Sequence, residues 1–124
     1  MEDNNDAESK VVLLAIESLV FDLENPRFKG LSDQLEALHS FCNDRYARKT
    51  VNLAEHIAKN GLNPSELMIV LKGKSRRQNI VLEGNRRLAA LKLLSLPARL
   101  NETPLSSAYR ARIKAAARSM DAEE

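Results

Sequence analysis

Apolar residues recur along the chain in two different patterns. Short continuous runs, typical of buried strands, are found at residues 11–16, 67–71 and 80–82. Elsewhere apolar residues return every three or four positions, the spacing of one helix face, over residues 32–44, 50–60, 85–96 and 104–118. The alternation of the two patterns predicts an α/β domain, in which a short mixed sheet of three to four strands packs with helices.

Local residue types predict where these elements begin and end. Ser32 is a suitable N-cap for the first helix, and Thr50 or Asn52 for the second. Gly61 is placed to end the second helix in a left-handed cap, and Pro97 stops the third. Residues 67–71 are apolar throughout, so we expect this strand to be buried on both faces.

Composition divides the chain into three parts. Residues 1–10 are acidic and polar and predict a disordered leader, and residues 11–97 carry the α/β pattern. Residues 98–124 predict a helical extension with many Arg and Ala residues, which we expect to continue into a longer protein. The amphipathic pattern of this extension suggests a packing partner outside the chain.

The overall composition is that of a soluble globular protein, with 44% hydrophobic and 29% charged residues. No apolar run reaches the roughly 20 residues that cross a bilayer, and the first residues do not resemble a secretory signal. We therefore expect a cytoplasmic protein without a membrane partner. Cys42 is the single cysteine, and His39 and His56 lie far apart, so these residues are assigned to structure and no metal site is predicted.

The net charge of +2 is unevenly distributed. Residues 1–24 contain seven acidic residues and one Lys, whereas residues 25–124 contain eighteen Lys or Arg and ten acidic residues. A basic body favours polyanionic partners such as nucleotides and DNA. Four basic residues of one predicted hairpin loop are candidates for contacting a nucleic-acid backbone, although a solvated loop tip explains them equally: Lys72, Lys74, Arg76 and Arg77.

The most informative segment follows the third predicted strand and begins a helix, and its residues are Glu83, Gly84, Asn85, Arg86 and Arg87. The first helical turn has free backbone N–H groups at the positive end of the helix dipole. Gly84 would let an anion approach the backbone, Asn85 could cap the helix, and the two arginines supply forked donors for phosphate. This pattern predicts a phosphate site. A plain turn followed by two solvated arginines fits the same residues, since one Gly and two Arg are less specific than a complete phosphate loop.

Three further residues are candidates for the same site. Glu83 could pair with an arginine, help to hold Mg²⁺, or orient a hydroxyl group or water. Arg27 follows the first strand and could face a common ligand, or it could be a surface turn residue. Gly61 lies in the connection to the second strand, which could border a base or ribose or serve only as a connector.

Three segments, in order, resemble sequence boxes of the ParB/sulfiredoxin-like superfamily. Residues 22–27 (Asp-Leu-Glu-Asn-Pro-Arg) resemble the first box, and residues 53–64, which end in Gly-Leu-Asn-Pro, resemble the element before strand two. Residues 81–90, with Glu-Gly-Asn-Arg-Arg, resemble the Gly-x-Arg-Arg box. The resemblance spans about residues 11–96 and implies the N-terminal domain fold of ParB.

The resemblance also implies a function. ParB-type partition proteins bind CTP, whose hydrolysis controls clamping on DNA, and sulfiredoxins and certain free-serine kinases use ATP, so CTP or ATP with Mg²⁺ is the expected cofactor. The residues that it places around the nucleotide are Arg27, Gly61, Gly84, Asn85, Arg86 and Arg87. Asn85 stands where sulfiredoxins have a catalytic cysteine and where ParB proteins usually have glutamate. Sulfiredoxin activity is therefore not expected, and hydrolysis, with Glu83 as the candidate catalytic residue, stays open.

The expected function is that of a nucleotide-binding domain that regulates a larger, DNA-associated prokaryotic protein. The expected partners are a nucleotide, DNA, and either a second copy of the chain or further domains. Whether the domain is a nucleoside triphosphatase is left open. Two alternatives remain: a basic nucleic-acid-binding module without nucleotide turnover, and a small-molecule phosphotransferase.

Overall fold

The computed structural model describes residues 15–62, 68–72, 78–95 and 97–122. The strands are β1 (Leu19–Phe21), β2 (Ile69–Lys72) and β3 (Asn79–Glu83). The helices are α1 (Gln34–Ser40), α2 (Ala47–Asn60), α3 (Asn85–Ser95) and α4 (Ser107–Ala122). Short 3₁₀ segments occupy Ile16–Ser18, Pro26–Phe28 and Pro97–Glu102. The predicted α/β class is confirmed.

The three described strands form one mixed sheet in the order β1-β3-β2. β1 runs parallel to β3, with Phe21 opposite Val81, and β2 runs antiparallel to β3 with an irregularity between Ile69 and Val70. Because β1 and β3 run parallel, the chain leaves both strands at the same end of the sheet. The segments that contain Arg27 and Arg86 therefore start from neighbouring strand ends.

A cluster of three phenylalanines packs near this edge. The ring centroids of Phe21, Phe28 and Phe41 lie between 5.7 and 5.9 Å apart, and none of the three side chains is more than 2% exposed. Phe21 comes from β1, Phe28 from the 3₁₀ turn after it, and Phe41 from the end of α1. The three rings thus fix the turn that carries Arg27 against α1.

The outer edge of β1 is closed by a side chain. The Gln34 side chain accepts a hydrogen bond from the Phe21 backbone N–H at 2.7 Å and donates one to the Phe21 carbonyl oxygen at 2.9 Å. Both backbone groups of Phe21 that face away from β3 are therefore satisfied, as they would be by another strand.

The C-terminal helix α4 has its packing partner within the chain. Ile113 and Ala117 are buried in one cluster with residues of α2 and α3, including Val51 and Leu94. The guanidinium of Arg112 donates to both carboxylate oxygens of Glu55, at 2.6 and 2.9 Å, and so links α4 to α2. The apolar face of α4 is thus covered within the chain, and its amphipathic pattern does not require an outside partner. None of the helices among the described residues has the length and apolar character to cross a membrane.

Several element boundaries differ from the prediction. β1 begins only at Leu19, after a 3₁₀ turn, and residues 11–14 lie outside the described part of the chain. The N-cap of α1 is Asp33, whose Oδ1 accepts from the Glu36 backbone N–H at 2.8 Å. Ser32 instead donates its backbone N–H to the Glu36 side chain. α2 begins at Ala47, and Thr50 is buried inside it, where its hydroxyl donates to the Phe41 carbonyl oxygen at 2.8 Å.

The second strand is not buried on both faces. Ile69 is 57% exposed and Leu71 is 54% exposed, although the intervening Val70 is half-buried. β2 lies at the edge of the sheet, and only the face that carries Val70 packs on the core. An apolar run predicts burial on both faces correctly only where both faces of a strand are covered, and the exposure of Ile69 and Leu71 shows that one face of β2 is not.

Candidate functional site

Helix α3 begins directly at the end of the sheet. β3 ends at Glu83, Gly84 turns the chain, and Asn85 is the first residue of α3. Gly84 has φ +97°, in the left-handed region that favours glycine, and its carbonyl oxygen accepts a helical hydrogen bond from Leu88 at 2.9 Å. The backbone N–H groups of residues 85–87 therefore have no acceptor within the helix, and they lie at the positive end of its dipole.

The missing side chain at Gly84 serves packing. A Cβ at this position would lie 2.6 Å from the Met68 Cγ and 3.3 Å from the Met68 Cβ. The space is thus filled by Met68, whereas the sequence suggested that it would be open to an anion. Glycine is required here because φ is positive and because Met68, which precedes β2, occupies the space that a side chain would need.

Two side chains of the first turn contain buried polar atoms without partners. Asn85 is only 8% exposed, and its Oδ1 accepts no hydrogen bond. The Nε of Arg86 is also buried and donates none. A buried polar group without a partner costs about 1–3 kcal/mol, so these atoms are places where a ligand would be favoured. The predicted capping role of Asn85 was wrong, since Asn85 is the first helical residue and its oxygen is unpaired.

Arg27 is positioned by aromatic rings. Its guanidinium carbon lies 4.0 Å from the ring centroid of Phe41 and 5.0 Å from that of Tyr46. The backbone N–H of Arg27 donates to Asn25 Oδ1 at 2.9 Å, which fixes the turn that Pro26 begins. Cation–π contacts of this kind orient a guanidinium while its N–H edges stay available.

The fold brings Arg27 and Arg86 close enough for their charges to interact. Burial lowers the pKa of the Arg27 guanidinium, the Tyr46 hydroxyl opposes this shift, and the positive charge of Arg86 adds to it. Within the described part of the chain, neither arginine forms an ion pair with a carboxylate. Two repelling cations beside a helix N-terminus make an electropositive site, which an anion with several oxygens would stabilise.

Comparisons with known proteins do not identify the chain. No family model, curated protein or solved structure matches it. The resemblance to the ParB/sulfiredoxin-like superfamily therefore stays a prediction. The geometry of Arg27, Asn85 and Arg86 stands independently of it.

The remaining predicted site residues are placed as follows. Arg87 is half-buried in the first turn of α3, and Glu83 is exposed at the end of β3. Gly61 ends α2 with φ +76°, as predicted, and its N–H donates to the Ile57 carbonyl oxygen at 2.7 Å. Among the described residues, no backbone hydrogen bond joins Gly61 to Arg27 or Arg86. Lys72 is exposed at the end of β2, and Lys74, Arg76 and Arg77 lie outside the described residues.

The structure offers no protein-only metal centre in its described ranges, where no three His, Cys, Asp or Glu residues come together. A magnesium ion that binds mainly through nucleotide phosphates and water needs no such cluster. The residues that sequence reasoning missed are Phe41 and Tyr46, the rings beside Arg27. A basic residue next to aromatic residues was visible in Arg27-Phe28 and in Arg45-Tyr46, but the sequence does not show that these segments meet.

Cys42 and His56 differ from the site residues in their surroundings. Cys42 is 1% exposed and its thiol lies 3.6 Å from the Leu38 carbonyl oxygen. His56 is exposed on α2, next to Asn60. The structural role predicted for both residues stays a prediction.

Cys42 should be unreactive in the folded protein. Burial raises the pKa of its thiol from 9.0 to about 12, so at pH 8 the thiolate, which is the reactive form, is nearly absent. We expect Ellman's reagent to modify Cys42 only as fast as the protein unfolds, whereas the protein in urea reacts at once. Because the folded pKa is the higher one, the neutral thiol contributes its full stability below pH 9, and this contribution is lost as the pH rises towards 12. A Cys42→Ala variant should lack that part of the alkaline loss of stability, and an equal loss in both proteins would contradict the assignment.

Proposed function

We propose that the first turn of α3, together with Arg27, binds the phosphates of a nucleoside triphosphate. The observation that carries the proposal is that the first turn of α3 holds Arg86 and the buried, unpaired amide oxygen of Asn85, and that the charge of Arg27 is close enough to interact with that of Arg86. The unpaired atoms of Asn85 and Arg86 and the repulsion between the two arginines each lower the stability of the ligand-free protein, and a phosphate ligand would satisfy all of them. Groups that cost stability and have no structural partner are typical of binding sites.

The chemistry of the groups specifies the ligand. Arg27 and Arg86 present forked N–H donors, which match phosphate oxygens in a bidentate way. The backbone N–H groups of residues 85 and 86, which have no acceptor within the helix, add donors that need no side chain. The amide of Asn85 offers both an acceptor, suited to a ribose hydroxyl or a metal-bound water, and a donor suited to phosphate. A ligand with phosphates and a sugar uses all of these groups.

The finer parts of the proposal rest on the sequence resemblance. CTP or ATP is the proposed nucleotide, with Mg²⁺ bound through its phosphates. Glu83, which is exposed at the edge of the site, is the residue proposed to orient a water for hydrolysis. The domain would then regulate a larger DNA-associated protein through its nucleotide state.

Calorimetric titration tests the binding step. The whole chain is titrated with CTP, ATP and GTP, with and without Mg²⁺, and with tripolyphosphate as a ligand that lacks base and sugar. We expect at least one nucleotide to bind more tightly than tripolyphosphate, which itself binds measurably. A single-stranded DNA oligonucleotide that binds when no triphosphate does, even at millimolar concentration, would instead favour the nucleic-acid-binding alternative, with the basic loop at Lys72 as its contact.

Replacing Asn85 separates a binding role from a structural one. The variant Asn85→Leu is similar in size and removes the buried unpaired amide, so we expect the free energy of unfolding to rise by about 1 kcal/mol or more. Nucleotide affinity should fall at the same time, because the amide no longer contacts the ligand. Urea unfolding and calorimetry measure the two effects. A loss of stability in Asn85→Leu would show that the amide has a structural partner and would remove it from the site.

A further inference from the structure

A cavity of about 510 Å³ lies between the end of β1, α1, the second half of α3 and the 3₁₀ segment Pro97–Glu102. None of Arg27, Asn85 and Arg86 lines it. Its volume is within the range of small-molecule sites, which is about 300–1,000 Å³. The cavity therefore needs an explanation that is separate from nucleotide binding.

One wall of the cavity is apolar. Leu35, Leu38 and Leu93 line it. Leu35 is 49% exposed, although Ala37 on the same helix is buried. A large aliphatic side chain at the rim of a cavity gains stability only when something apolar covers it. This wall fits an aliphatic or aromatic body.

The other wall carries donors and positive charge. Lys92 and Arg99 line it together with His39, whose Nε2 is buried and has no hydrogen-bond partner. Lys92 is half-buried and forms no ion pair within the described residues, and burial lowers its pKa, with Glu17 opposing this shift and Arg99 adding to it. Among the described residues that line the cavity, Lys92 and Arg99 are cationic and Glu102 is acidic, while Glu17 acts on Lys92 from outside the lining.

We infer that this cavity is a second binding site, for a small carboxylic acid with an apolar body. The carboxylate lies between Lys92 and Arg99 and accepts a hydrogen bond from His39. The apolar body packs along Leu35 and Leu93. The ligand thereby forms a hydrogen bond with the unpaired histidine nitrogen, neutralises a half-buried lysine and covers the exposed leucine. Each of these three features of the cavity is unfavourable without a ligand.

Hexanoate is a suitable probe, with acetate and hexan-1-ol as controls that each lack one half of the recognised chemistry. The whole chain is titrated with each compound and followed by ¹H–¹⁵N NMR. We expect hexanoate to bind and to change the chemical shifts of the His39 and Leu93 amides. The affinity of each control should be at least about tenfold lower than that of hexanoate. Binding of hexan-1-ol as tight as that of hexanoate would show a merely apolar cavity and would overturn the inference.

Two variants and a matched control locate the charge. Lys92→Met keeps the aliphatic stem and should lower hexanoate affinity about tenfold, whereas Lys114→Met, at a half-buried position of α4, should leave it unchanged. Leu35→Asp is on an exposed position, so it leaves the core intact and serves if Lys92→Met does not fold. It should abolish binding by placing a negative charge beside the carboxylate. Equal affinities in wild type, Lys92→Met and Leu35→Asp would overturn the inference, as would the absence of any hexanoate binding.

Discussion

Replacing Gly84 by alanine is expected to lower the free energy of unfolding by about 2–4 kcal/mol. About 1–2 kcal/mol comes from the left-handed backbone angle, φ +97°, which an L-residue with a Cβ adopts only with strain. The rest comes from Met68, whose Cγ would lie 2.6 Å from the new methyl group. Rotation about χ1 can move that Cγ, but it does not move the Met68 Cβ, which lies 3.3 Å away. Urea unfolding of the two proteins measures the difference.

Gly30 provides a matched control for this prediction. It has φ +88°, but no atom lies within 4 Å of a Cβ built on it. Gly30→Ala therefore carries the backbone strain without the steric contact, and we expect it to cost about 1–2 kcal/mol. The difference between the two variants is the cost of the Met68 contact. If Gly84→Ala costs no more than Gly30→Ala, Met68 does not constrain the turn at the start of α3.

The second large effect is expected on ligand affinity. Arg86→Met should weaken nucleoside triphosphate binding about 10- to 100-fold, since a hydrogen bond to a charged group contributes about 1.5–3 kcal/mol. The same variant should not destabilise the ligand-free protein. It removes the buried unpaired Nε and the repulsion that lowers the pKa of Arg27, so the free energy of unfolding should stay constant or rise. Calorimetry and urea unfolding report the two quantities separately.

Arg118→Met controls for the loss of one positive charge. Arg118 is exposed on α4, at a distance along the chain from every residue of the proposed site. We expect its replacement to change the affinity less than twofold at physiological salt, because a single solvent-exposed charge outside the site contributes little there. An equal loss of affinity in both variants would mean that the nucleotide responds only to net charge, and it would remove Arg86 from the binding site.

The sequence predicted those parts of the fold that depend on local patterns. The start of α3 after Gly84, the burial of Leu88, Leu91 and Leu94, and the left-handed end of α2 at Gly61 are all confirmed. Each follows from residue types within one or two helical turns. A local pattern contains the information for such features because they are formed by neighbours in the chain.

The errors arose where the outcome depends on which elements meet. The exposure of Ile69 and Leu71 follows from the position of β2 at the sheet edge, and the apolar run itself does not reveal strand order. The contact of Arg27 with Phe41 and Tyr46 likewise joins segments that are distant along the chain. The packing of Met68 against Gly84 was not predicted for the same reason, because Met68 comes from the segment before β2. In each of these cases the missing information was a tertiary contact.

The side chain of Gln34 occupies one edge of the sheet, so a further strand would be added at the opposite edge. At Phe21 a further strand would have to displace two hydrogen bonds from a helix-borne glutamine, whereas no described strand pairs with the outer edge of β2. The exposed Ile69 and Leu71 lie along that same edge. Strand addition from another molecule, whether for assembly or for aggregation, would therefore occur next to β2, and charged substitutions at Ile69 or Leu71 would block it without touching the core.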